Sequence, residues 1–246
     1  MPSLGDAIYC RPFVKAFATT VETRWPDLYP DVGRAAGADI RPRYDTKNLA
    51  LLNIPRAIGR VFPPLENVRP DLPVFSAPKG RYAVTRPPTL RTRFWAPARN
   101  PRADYVRQAA AMLRDMEFTT VGVGNIGTDE CFDGDPPCVD EPRWQGMPVP
   151  HLMGLLSGAA LIVAGPGYTV PAAIAYDVPH VIVYGGAAKW NAPDKMTDPF
   201  MGRIRLTAVE PDRFCWACRT VRHACNKTIT QFEDKFADAV DRALSM

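Results

Sequence analysis

No run of about 18 or more apolar residues occurs anywhere in this 246-residue sequence, so no membrane-spanning helix is expected. The best stretch, LLSGAALIVAGPGY, is broken by Gly and Pro. A leader is missing as well: no charged segment followed by an apolar core and a small-residue cleavage site opens the chain. It is therefore expected to begin at Met1 and to work in the cytoplasm. In that reducing setting the six cysteines read as thiols or metal ligands rather than as a disulfide framework. No internal repeat stands out, and no strong charge of one sign. The 30 Lys and Arg against 26 Asp and Glu permit an anionic partner without requiring one. Proline is abundant, at 26 residues, and predicts many loops and short or kinked helices. The 46% of hydrophobic residues suffice for a core in one or two domains.

From Arg81 onward short apolar strands alternate with helices. RYAVTRPP predicts a strand ending in Pro, ADYVRQAAAMLRDM a helix with Tyr105, Ala109, Met112 and Leu113 on one face, and FTTVGVGNI a second strand. After an acidic, Pro-rich loop (DGDPPCVDEP), HLMGLLSG predicts a helix, AALIVAGPG a strand entering a Gly-rich turn, TVPAAIAYD a helix and HVIVYGG a buried strand. Continuous Val, Ile and Ala strands between helices predict an open α/β domain whose parallel sheet is covered on both faces. A last amphipathic helix is expected from Thr228 to Leu244, carrying Phe232, Phe236, Val240 and Leu244, with Thr228 or Thr230 as N-cap. Upstream, SLGDAIYCRPFVKAFA reads as a loop entering a helix with Asp6 at its N-terminal end. The Pro-rich SAPKGRY region marks a boundary between residues 1–80 and 81–246.

Ligands on open α/β sheets bind outside the carboxyl ends of the strands, so residues just after each strand carry the information. In AGPGYT, Gly165 and Gly167 bare the backbone N–H groups at a helix N-terminus, which suits a phosphate; a tight packing turn gives the same pattern. In VYGGAAKWNAPDKMTDP, Lys189, Asn191, Asp194 and Lys195 are placed to close over a polar ligand, or else form a solvated loop. The stretch from Arg81 to Arg107 holds seven Arg, no Lys and one acid. Arginine forks onto phosphate, and the run begins at a strand end; a solvated basic face is the other reading. Phe94 and Trp95 inside it add aromatic surface that suits a base. In FCWACRTVRHAC, Cys215, Cys218, His223 and Cys225 offer four ligands within eleven residues, a set that suits a closed structural Zn2+ site, with free or redox-active thiols as the alternative.

Three blocks together resemble one family. SLGDAIYCRPFVKAF is similar to the Ser-x-Gly-Asp signature of heptosyltransferase-like glycosyltransferases (glycosyltransferase family 9-like), LLSGAALIVAGPGYTVPAAIAYDVPHVIVYGG resembles their donor-side stretch, and CWACRTVRHACNKTI resembles their Cys-containing tail. The resemblance implies a GT-B-like α/β fold of two Rossmann-like lobes with a cleft between them. The N-terminal acceptor-side lobe, residues 1–80, is reduced, and residues 81–246 form the nucleotide-sugar-binding lobe. Where the family commonly has Asp-Ser-Gly and then a His in the Ala-rich helix, this chain has Gly165, Pro166, Gly167 and then Val170. Two polar donor contacts of the family are therefore missing. The segments NAPDKMTDP and HACNKTI look closest to small phage-encoded glycosyltransferase-like proteins, which implies a hydroxymethylated pyrimidine in DNA as acceptor.

The implied activity is inverting transfer of a sugar from a nucleotide-sugar, expected to be a UDP-sugar, to an acceptor hydroxyl. A glycan or lipopolysaccharide transferase and a binding module without chemistry are the alternatives. Asp6 is the implied general base. Arg86, Arg91 and Arg93, with the backbone at Gly165 and Gly167 and the adjoining Thr85, Tyr168 and Thr169, would hold the diphosphate without a catalytic metal. Lys189, Asn191 and Asp194 would hold the sugar or nucleotide. Asn caps a helix as well as Asp. Asp6→Asn is therefore expected to keep the fold and abolish transfer, and full turnover in that variant would refute the assignment.

Overall fold

The computed structural model describes residues 4–5, 7–9, 25–29, 78–91, 97–127, 129–187, 191–197, 204–215 and 225–246, with Pro26, Asp194 and Lys195 described by backbone alone. Eight strands lie in this set. β1 (Tyr82–Arg86), β3 (Thr119–Val123), β5 (Glu141–Arg143), β6 (Leu161–Ala164), β7 (His180–Val183) and β8 (Leu206–Val209) form one sheet in the order β5-β3-β1-β6-β7-β8. Every pairing in it is parallel. Numbered along the chain, that order is 3-2-1-4-5-6, the doubly wound arrangement whose direction reverses between its first and fourth strands. β2 (Thr89–Arg91) and β4 (Glu130–Phe132) pair antiparallel as a separate two-stranded ribbon.

Residue type explains the layers. β1, β6 and β7 are buried almost throughout, as the apolar runs predict for a sheet covered on both sides. One face carries Ala83, Leu161, Val163, Val181 and Val183, and is covered by α1 (Ala103–Asp115) and by the last described helix, Phe232–Ser245. The other carries Val84, Val121, Ile162 and Ile182 under α2 (Val149–Ser157) and α3 (Thr169–Tyr176). The short helix α4 (Pro193–Met196) lies between β7 and β8, and Phe232–Ser245 is α5. Leu4, Ala7, Ile8, Leu28 and Tyr29 belong to this second core, so these residues of the first 80 are buried with the sheet.

The connection from β3 to β5 carries β4 where such folds usually place a helix, and Trp144 covers part of the strand instead. A Cβ on Gly122 would stand 2.0 Å from its ring, so β3 needs glycine there.

The C-terminal helix starts later than its sequence suggests. Gln231, left-handed at φ 55°, is its N-cap residue rather than Thr228 or Thr230. Asp212 takes both donors of Thr230, from N at 3.1 Å and from Oγ1 at 2.6 Å, while Thr228 bonds Asn226, so both threonines are engaged before the helix begins.

His180, at the amino end of β7, is fully buried, and neither ring nitrogen has a partner among the described residues. Burial disfavours the imidazolium and pulls its pKa down to about 3 from 6.5. Between those values the unfolded chain binds a proton that the folded chain refuses. Stability is therefore expected to fall as pH drops from about 6.5 towards 3, by at most about 1.4 kcal/mol per pH unit from this group. His180→Leu is expected to flatten that slope without loss of stability at pH 7, since it removes unpaired buried polar atoms. Chemical denaturation at several pH values checks this, and an unchanged slope would sink it.

Candidate functional site

The switch point falls between β1 and β6, where register sets Arg86 beside Ala164. The chain leaves β1 through Pro87 and Pro88 into the ribbon, and leaves β6 through Gly165, Pro166 and Gly167 into α3. Arg86 is turned towards the ribbon. Its Nη2 donates to Glu130 Oε1 at 2.7 Å and to Thr89 Oγ1 at 2.9 Å, and its guanidinium carbon lies 5.3 Å from the centre of the Tyr168 ring. Thr89 Oγ1 in turn bonds Glu130 Oε1. Arg91, cross-strand from Glu130 in the ribbon, brings Nη2 to 3.6 Å from Oε2. The Glu130 side chain is only 3% exposed, against 17% for Arg86 and 49% for Arg91, so two cations of graded exposure converge on one buried acid.

Two buried polar atoms at the strand ends lack a partner among the described residues: Arg86 Nε and Thr169 Oγ1. An unpaired buried donor costs about 1–3 kcal/mol, and both atoms are enclosed by protein. Burial pushes the Tyr168 hydroxyl up, with the Arg86 charge opposing it; the phenol stays a neutral donor at physiological pH.

The turn Pro97–Pro101 ties these parts together. Arg99 Nε donates to the Pro166 carbonyl at 3.0 Å, and Asn100 Nδ2 donates to Thr89 O and to Asp133 Oδ2, each at 2.8 Å. Ala187 N bonds Ala98 O at 2.9 Å, and Lys227 Nζ bonds Pro97 O at 2.6 Å. Gly185 lets the turn lie against β7, for a Cβ there would stand 2.1 Å from Asn100 O. Gly165 is nearly as confined, with Pro101 Cδ 3.0 Å from its Cβ position, whereas at Gly167 the nearest atom is Arg99 Nη2 at 3.7 Å. Packing thus favours a small residue at 165, whereas among the described residues no close contact calls for glycine at 167.

The arginine run divides by position. Arg86, Arg91 and Arg99 meet at the carboxyl ends, while Arg81 lies over the Phe118 ring at 3.9 Å and Arg102 and Arg107 form surface pairs with Asp104 and Asp135. Thr85 is buried and its hydroxyl donates to Val121 O at 3.4 Å. Asn191 Nδ2 reaches Ala187 O at 3.5 Å. Asp6, Arg93, Lys189, Cys218 and His223 lie outside the described residues, as does the Asp194 side chain. Cys215 and Cys225 are half-buried, and nearby Lys227 has its pKa lowered by burial, with Asp133 opposing the shift. Glu130, Thr89, Arg99 and Asn100 were not singled out by sequence. The signal that existed was Glu130 itself, an acid in a three-residue strand that faces a strand of the arginine run.

No family model and no curated protein matches this chain. Among solved structures, TibC from enterotoxigenic E. coli H10407, described as a bacterial iron-containing dodecameric glycosyltransferase, aligns over all of this chain and 73% of its own, at 17% identity and TM-score 0.50. A TibC complex with ADP-D-beta-D-heptose aligns over 68% of this chain and 47% of its own (13% identity, TM-score 0.44). E. coli ADP-heptose lps heptosyltransferase II aligns over 67% and 48% (10% identity, TM-score 0.40). In these last two alignments the chain spans about half the neighbour's length. The first likeness concerns the fold: a mixed α/β architecture with a parallel sheet, shared with a glycosyltransferase.

Because a backbone carbonyl has little room to yield, Gly185→Ala is expected to lower stability by about 1–3 kcal/mol through overpacking, and Gly167→Ala by much less. Thermal unfolding of the two variants checks the contrast, and equal losses would contradict it.

Proposed function

We propose that this protein is a nucleotide-sugar-dependent inverting glycosyltransferase. The observation that carries the reading is the basic switch point, where a sheet of this order opens a crevice and where Arg86, Arg91 and Glu130 gather beside the Gly165–Gly167 turn. Such a crevice is where doubly wound sheets take phosphorylated ligands. The likeness of fold to a glycosyltransferase supports the same class.

In this reading Asp6 removes the proton from the acceptor hydroxyl. The oxygen attacks the anomeric carbon from the face opposite the diphosphate, the bond to the diphosphate oxygen breaks, and the configuration inverts. Arg86 and Arg91, together with Arg93, Thr85, Tyr168, Thr169 and the N–H groups of Gly165 and Gly167, meet the charge that develops on the leaving diphosphate. Lys189, Asn191 and Asp194 hold the sugar or the nucleotide. Tyr9 donates to Met196 O of α4 at 2.8 Å, so the helical residues Ala7–Tyr9 border the chain leaving β7.

The sequence favours a UDP-sugar and a hydroxymethylated pyrimidine of phage DNA as acceptor, whereas the solved TibC complex holds ADP-D-beta-D-heptose. Cys215, Cys218, His223 and Cys225 are assigned a structural Zn2+, and metal analysis of purified protein tests that set separately.

Incubating the protein with UDP- and ADP-sugars, hydroxymethylpyrimidine DNA and a glycan panel, with mass spectrometry of the products, tests the reading. A mass gain on modified DNA is expected. Gain on glycans alone would move the acceptor, and donor binding without turnover would leave a binding module. Arg86→Lys, which keeps the charge but not the fork, is expected to lower kcat/KM about 100-fold or more, as removal of a transition-state donor does.

A further inference from the structure

We propose that Glu130 is a positioning residue for Arg86: it fixes the guanidinium to meet a phosphate oxygen of a nucleoside diphosphate at the switch point. The inference rests on the reading of this crevice as the donor site, and adds a residue from a different strand to it.

The geometry supplies the argument. A long arginine side chain loses conformational freedom when it binds, and holding it in place beforehand removes that loss from the binding step. Here the guanidinium is held on three sides. Glu130 Oε1 and Thr89 Oγ1 both engage Nη2, at 2.7 and 2.9 Å, and the Tyr168 ring lies against the guanidinium carbon at 5.3 Å. The Nε hydrogen is enclosed and has no acceptor among the described residues. Replacing a buried ion pair with apolar groups is often neutral or favourable, so stability alone does not account for the pair. Two arginines on one acid leave the cluster with a net positive charge, the sign an oxyanion needs. Glu130 cannot wander, because Arg91 lies opposite it in the ribbon and Asn100 fastens the ribbon at Thr89 and Asp133.

The test is calorimetric titration of the full chain with UDP, ADP and inorganic pyrophosphate. Glu130→Gln keeps the shape and removes the charge that orients Arg86; its Kd for the diphosphate that the unchanged protein binds is expected to rise about tenfold. In the Arg86→Lys background the same change is expected to add little, since the two residues act as one unit. Unaltered or tighter binding by Glu130→Gln, or full additivity in the double variant, overturns the inference and leaves the donor site standing. Failure of the unchanged protein to bind any of the three ligands overturns both readings. If Glu130→Gln does not fold, Thr89→Val removes the second contact to Nη2; a smaller loss of affinity in the same direction supports the inference, and none refutes it.

Discussion

The carboxyl end of this sheet depends on one close approach, the carbonyls of Arg99 and Asn100 lying on the bare backbone of Gly185. Only there does the turn Pro97–Pro101 come close enough to bond β7's exit, the Gly turn after β6 and the ribbon at the same time. The turn holds these parts through backbone carbonyls and two polar side chains, groups whose geometry is set by the chain itself. The crevice is consequently built from short, rigid connections, the condition under which a few donors can be held in one place.

Charge at the crevice follows from this. A carboxylate as buried as Glu130 is costly to desolvate, and its two arginines offset that cost only when held at close range. The ribbon supplies that range by antiparallel register, which sets Arg91 and Glu130 opposite one another whatever their distance in sequence. Arg81, Arg102 and Arg107 of the same run meet an aromatic face or carboxylates in water, where pairs contribute little. One stretch of sequence thus spans both ends of the sheet, with Arg81 before β1 and Arg86 and Arg91 at and beyond its carboxyl end.

That division marks where sequence was informative. β1, β3, β6 and β7 and the helices between them were legible because a strand buried on both faces must be continuously apolar. Arg86 and the Gly turn were legible because they directly follow such strands. β2, β4 and β5 have three residues each, too few to show a period, and β8 is also short and only alternately buried. Glu130 falls just ahead of the acidic loop, in a stretch to which the sequence reading gave no element, since nothing local states that its strand pairs with one that lies beyond α1 and β3 in the chain. The start of α5 was misread because Asp212, from the far side of β8, competes for the hydroxyl that would have capped it.

The pairing of β1 with β6 also governs how the molecule comes to exist. Ala83 finds Leu161 and Arg86 finds Ala164 only after most of the intervening chain has been made and ordered. Closing so long a loop is entropically costly and slow compared with local helix formation. The residues on either side of the switch point therefore come together only in the pairing that joins the halves of the sheet.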